Sequence, residues 1–144
     1  MHTKEWYANW KKPEIVHGVP TRWGWVVFYP ENLRLSRYVD VGYGTLLNAK
    51  GGIIIEESVE IGSHCSINSY SSINQKIGQI ILKTGCCIGA HVVIMPNVTV
   101  GENSRIGSGI YLDKNVPPDT VVRPDVKLTY RSLVGNSKKS VLSQ

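Results

Sequence analysis

The chain has 144 residues, enough for one domain, with a formal net charge of +5, 42% hydrophobic residues and 8% aromatic ones. No apolar run approaches the roughly 20 residues of a membrane-spanning helix, and the opening MHTKEWYANW lacks the apolar core of a signal peptide. The positive charge gathers at the termini with neither a recognition motif nor a basic helix, which argues against nucleic-acid and membrane partners.

Residues 1–30 are read as a cap segment. Trp6, Tyr7, Trp10, Trp23 and Trp25 concentrate the aromatic mass there. Such a segment can cover the open end of a repeat structure, whose edge strands would otherwise be sticky. It can also offer a platform for a sugar or a nucleotide base, and the two uses are compatible. His2 is read as part of a disordered end.

Residues 31–122 are read as the repeat domain, in which an aliphatic residue returns every six positions from Ile55 to Leu112, after a less regular set from Leu33 to Gly52. Val41, Leu47 and Ile53 are in phase, and a two-residue slip to Ile55 predicts a bulge or corner change near Gly51-Gly52. Ile55, Ile61, Ile67 and Ile73 follow; then Leu82, Ile88, Ile94, Val100, Ile106 and Leu112. Between the two runs, residues 74–81 add three to the spacing, which predicts a short loop protruding from a corner. Six is neither the helix nor the plain strand period. A helix turns through about 600° in six residues, so its apolar side chains would wander around the axis. A flat strand would keep breaking at the Gly, Asn and Asp sites of each unit. A coil of short strands with a turn in every unit satisfies both constraints, and a fixed short period marks a repeat architecture.

Gly62, Gly89, Gly101 and Gly107 each follow the aliphatic residue, where the backbone is crowded or needs positive φ. Four residues after it come Val59, Cys65, Ser71, Cys86, Val92, Val98, Ser104, Ile110 and Val116, small or aliphatic and expected to point inward. Cys65, Cys86 and Cys87 are an odd number without metal-ligand spacing, and are read as packed free thiols of a reducing cytoplasm. Pro117 and Pro118 cannot donate ladder hydrogen bonds, so pairing should weaken there. Residues 123–144 form a basic tail, with 136–144 expected to be mobile.

The stretch CIGAHVVIMPNVTVGENSRIGSG (residues 87–109), followed by DKNVPPDTVV (residues 113–122), resembles the hexapeptide-repeat acyltransferases. The likeness is nearest to the galactoside and maltose acetyltransferases and to the N-acetyltransferases of nucleotide-linked amino sugars. It implies an all-β, left-handed parallel β-helix with three hexapeptides per coil. It also implies a homotrimer with active sites between subunits and acetyl-CoA as co-substrate, with no metal.

In galactoside-type relatives the catalytic His falls in the segment matching INSYSSIN, and a gapless placement puts it at Ser72. The chain departs from the family there. A sugar hydroxyl needs a base because its pKa is very high, whereas a neutral amine is already a nucleophile, so the departure favours an amine acceptor. His64 in IGSHCSI is the first candidate for general base and His91 in IGAHVV the second; solvated or structural roles are the plain alternatives. The acceptor pocket is assigned to Asn48, Tyr70, Ser72 and Asn74, which as ordinary corner residues would simply hold turns. The resemblance assigns coenzyme contacts to Ala90, Ser108, Asp113, Lys114, Lys127 and Arg131, the last two as charge-assisted partners of phosphate.

The reading is an acetyl-CoA-dependent acyltransferase acting on the amino group of a nucleotide-linked amino sugar for surface polysaccharide or glycan synthesis. An O-acetyltransferase of a small hydroxyl acceptor is the alternative within the same class. A γ-carbonic-anhydrase-like zinc enzyme needs three converging histidines, and the four here are scattered. A scaffold that has lost its base is the non-catalytic alternative.

Overall fold

Six residues make one side of a three-sided coil. The computed structural model of the chain describes residues 2–134; the segment expected to be mobile, 136–144, lies outside them. Three parallel sheets wrap one aliphatic core. The first face stacks Val26–Phe28, Leu46–Asn48, Ser66–Asn68, Val93–Ile94 and Tyr111–Leu112. The second stacks Leu33–Leu35, Ile53–Ile55, Ile80–Leu82 and Thr99–Val100. The third stacks Asp40–Val41, Glu60–Ile61, Cys87–Ile88, Arg105–Ile106 and Val121–Val122. The molecule is an all-β parallel solenoid whose only α-helix among the described residues is Lys4–Asn9.

The strands are two or three residues long, so none is stable alone. Stacking supplies the stability. Leu47, Ile53, Ile55, Ile67, Ile80, Leu82, Ile94 and Val100 are fully buried in the prism, each adding about 1.5–3 kcal/mol of apolar burial. Val59, Cys65, Cys86, Val92, Val98, Ser104 and Val116 are buried between them.

Coil length is not constant. Val41 pairs with Ile61, Ile61 with Ile88, Ile88 with Ile106 and Ile106 with Val122, which gives steps of 20, 27, 18 and 16 residues. Near the predicted slip, Gly52 takes φ +96° and its N–H closes a turn on the Ala49 carbonyl at 2.8 Å. The long coil contains the excursion, and here one expectation fails. Ile73 is 97% exposed, not inward. The chain leaves the solenoid at Tyr70, where Tyr70–Ser71 pairs antiparallel with Lys76–Ile77. The inward place beside Ile53 is taken by Ile80 instead. Ser71 is half-buried for the same reason, and Ser69 is the buried small residue.

The ladder begins at Val26, earlier than the expected start at residue 31, because Val26–Phe28 pairs with Leu46–Asn48. The preceding segment opens with a helix that Thr3 caps, its hydroxyl accepting the Trp6 N–H at 3.1 Å. His2 is not a loose end. Its ring stacks on Trp6 with centroids 3.6 Å apart, and its Nε2 lies 3.1 Å from Asp40 and 3.2 Å from Glu60. Beyond Val122 the described chain forms no strand through residue 134, and all of it but Ser132 is exposed.

Candidate functional site

The corner joining the third face to the first repeats one backbone conformation. Gly24, Gly44, His64, His91 and Gly109 all have positive φ, between 55° and 88°. Their amides bind the preceding coil in turn: Gly44 to Gly24, His64 to Tyr43, His91 to Ser63 and Gly109 to Ala90, at 2.9–3.0 Å. A left-handed backbone favours Gly, although His tolerates it better than most residues. Two successive coils therefore carry imidazoles where their neighbours carry no side chain.

The two rings stack, with centroids 5.3 Å apart and planes 8° from parallel, and both histidines are exposed. Tyr43 meets His64 edge-on at 5.8 Å. The stack has a closed end and an open end. A Cβ on Gly44 would lie 2.7 Å from the His64 ring, whereas one on Gly109 would meet nothing within 4 Å. Neutral imidazole accepts a proton at one nitrogen and donates from the other, so a ring facing solvent here can serve as a general base.

Ala90 and Ser108 sit at the foot of the same corner. The Ala90 N–H donates to the Ser108 hydroxyl at 3.1 Å, so this expected coenzyme contact already has a partner within the chain. Asp113 and Lys114 are exposed just past the strand Tyr111–Leu112; Lys127 and Arg131 are exposed on the segment that follows the last strand. Gly62 and Gly89, one residue before the corner turn, also line a groove of about 400 Å³ on the third face, with Asp40, Glu60, Cys87 and Arg105.

The four expected acceptor residues lie one side of the prism away. Asn48 ends the strand Leu46–Asn48 and accepts the Lys50 N–H at 3.2 Å through Oδ1. Tyr70 begins the hairpin, its ring 4.2 Å under the Lys50 ammonium. Ser72 and Asn74 are exposed in the hairpin turn, where Asn74 Oδ1 accepts the Lys76 N–H at 3.3 Å. Within one chain they form a second cluster, apart from the histidines.

Nucleophilic thiolate chemistry finds no support. Burial pushes the Cys86 thiol up to about 12 and also raises Cys65 and Cys87. Cys65 lies directly under the histidine corner and donates its S–H to the Gly89 carbonyl at 3.0 Å. Among the described residues no group of three or more His, Cys, Asp or Glu side chains is placed to hold a metal ion, and no helix is long and apolar enough to cross a membrane.

Sequence reasoning missed Tyr43, Lys50 and Gly109 as neighbours of the two clusters. Gly109 had a signal, since it stands 18 residues after His91 and so occupies the same corner one regular coil later. Tyr43 and Lys50 had none, because irregular coils hide which residues stack.

No family model matches the chain. The bifunctional protein GlmU of Legionella pneumophila (strain Corby) is 33% identical over 73 residues, 51% of this chain and 15% of GlmU. The galactoside O-acetyltransferase of Escherichia coli (strain K12) is 56% identical over 34 residues, 24% of this chain and 17% of that enzyme. The chain thus spans less than a fifth of either relative. Among solved structures, a hexapeptide-repeat-containing acetyltransferase from Vibrio cholerae, VCA0836, superposes with a TM-score of 0.63 at 21% identity, covering 67% of this chain and 60% of that one. A mutant of AntD, an N-acyltransferase from Bacillus cereus in complex with dTDP and coenzyme A, gives 0.56 at 17% identity, covering 79% and 81%. These likenesses establish a shared fold.

Proposed function

We propose that the chain, whose fold and sequence are similar to those of hexapeptide-repeat acetyltransferases, transfers an acetyl group from acetyl-CoA to the amino group of a nucleotide-linked amino sugar. The observation that carries this reading is the stacked His64–His91 pair beside the open space at Gly109. The relatives support the class of reaction: one is a galactoside O-acetyltransferase, and AntD is an N-acyltransferase whose structure holds dTDP and coenzyme A.

The neutral amine attacks the thioester carbonyl carbon, and the C–S bond breaks as the oxyanion collapses. His64 takes the proton that the nitrogen sheds, and the departing coenzyme thiolate receives a proton in return. His91, stacked on His64, holds that ring against the corner. A backbone N–H at the corner stabilises the oxyanion. The coenzyme arm runs from the open end past Ala90 and Ser108, and Lys114, Lys127 and Arg131 meet its phosphates.

The assembly in this reading is a left-handed homotrimer. Its logic is geometric: Asn48, Tyr70, Ser72 and Asn74 are a full side away from the histidines of their own chain, and a neighbouring copy brings the two clusters together. The test is thiol release from acetyl-CoA with a panel of amino sugars, nucleotide-linked amino sugars and galactosides. The reading expects release with the nucleotide-linked amines above all others. Release with galactosides alone would make the protein an O-acetyltransferase, and none with any acceptor would make it a scaffold.

A further inference from the structure

All four tryptophans of the chain, Trp6, Trp10, Trp23 and Trp25, line one cleft of about 280 Å³ between the N-terminal helix and the first coil. Closing the end of a prism needs apolar area, but not an open indole-lined hollow. The Trp10 indole N–H is tied to the Val39 carbonyl at 2.9 Å, which fixes that ring, while Trp23 stays 48% exposed. Two exposed cations, Lys11 and Arg22, also line the cleft, and the Arg22 guanidinium lies 5.1 Å from the Trp23 ring centroid. The cleft's carboxylate, Asp40, lies 3.1 Å from His2 Nε2, and the two cations outnumber it.

We propose that this cleft binds the base of a nucleoside diphosphate, with its phosphates on Arg22 and Lys11. The volume is below the roughly 300–1,000 Å³ that encloses a whole drug-sized ligand, so one flat ring enters and the remainder stays outside. The exposed Trp23 indole can stack on a base face, and guanidinium and ammonium groups bind phosphate through charge-assisted hydrogen bonds. Position agrees. Trp23 immediately precedes Gly24, the first residue of the histidine corner, and the Tyr43 ring packs over Gly24 and reaches His64. His64 lies two coils further on, about 10 Å at the usual strand spacing. A diphosphate leaving the cleft over Arg22 follows the corner and delivers its sugar to the imidazoles. The inference rests on the acyltransferase reading only for what that sugar then undergoes.

Because every indole sits in the cleft, intrinsic fluorescence of the full chain reports on it alone. Titration with UDP and dTDP, with no acyl donor present, should give a saturable change. Uridine and thymidine should bind at least tenfold more weakly, and glucosamine should give no change at matched concentrations. The Arg22→Ala/Lys11→Ala double variant should melt like the parent and bind UDP at least tenfold more weakly. An absent response, an equal response to glucosamine, or an affinity unchanged in the double variant overturns the proposal. Thiol release with amino sugars but no nucleotide response would sink this inference and leave acyl transfer standing; nucleotide binding without thiol release would do the reverse.

Discussion

Two corners of the prism share a backbone and differ in what they carry. At the corner between the second and third faces, Tyr38, Ser58, Gly85, Asn103 and Asp119 have φ between 56° and 73°, positive as at the histidine corner. Gly, Asn and Asp are what a left-handed turn selects, and their short side chains bind the local backbone. The histidine corner uses glycine above and below and a bulky ring twice between. Backbone demand accounts for Gly85, Asn103 and Asp119 at the first corner, and the Tyr38 ring there packs edge-on against Tyr7 and Trp10; the two imidazoles of the second corner stack on each other while exposed. The acyl transfer proposed above would give that pair a role.

At neutral pH the largest change in stability should come from spoiling the crowded base of the histidine corner. A Cβ on Gly62 would lie 2.7 Å from the Ala90 backbone nitrogen. Gly62→Ala should therefore cost about 1–3 kcal/mol in denaturant unfolding, as overpacking does, and displace the turn that carries His91. An effect absent at neutral pH and confined to the alkaline side belongs to the other corner. Cys86 titrates near 12 folded against 9.0 in the free side chain, so the unfolded chain loses that proton first as pH rises. Its contribution is whole below pH 9 and declines towards pH 12, at up to about 1.4 kcal/mol per unit. Cys86→Ala should flatten the alkaline limb of a stability–pH curve relative to the parent. Smallest of all, Asn103→Gly keeps a residue suited to φ +58°. It should shift stability by no more than about 0.5 kcal/mol and leave thiol release unchanged.

The difference between these corners was only half legible in the sequence. The six-residue step gave the inward set wherever coils are regular, as at Ile88, Ile94, Val100, Ile106 and Leu112, all buried. It misplaced Ile73 because the hairpin starts at Tyr70, and an aliphatic residue in phase cannot announce that the chain has already left the solenoid. His64 and His91 each stood out as residues. Their stacking did not, because they are 27 positions apart and only the excursion between them restores the corner register. The N-terminal helix had a readable cap in Thr3, while the ring-on-ring packing of His2 on Trp6 depends on a tertiary approach that no local pattern encodes.

The measurement that bears most directly on the histidine corner is thiol release by His64→Asn, with an asparagine that the φ of +55° accepts. The account predicts a rate lower by about 10²–10⁴, the usual worth of a general base, with an unchanged melting temperature. A variant that melts as the parent does and turns over at the parent's rate would contradict it.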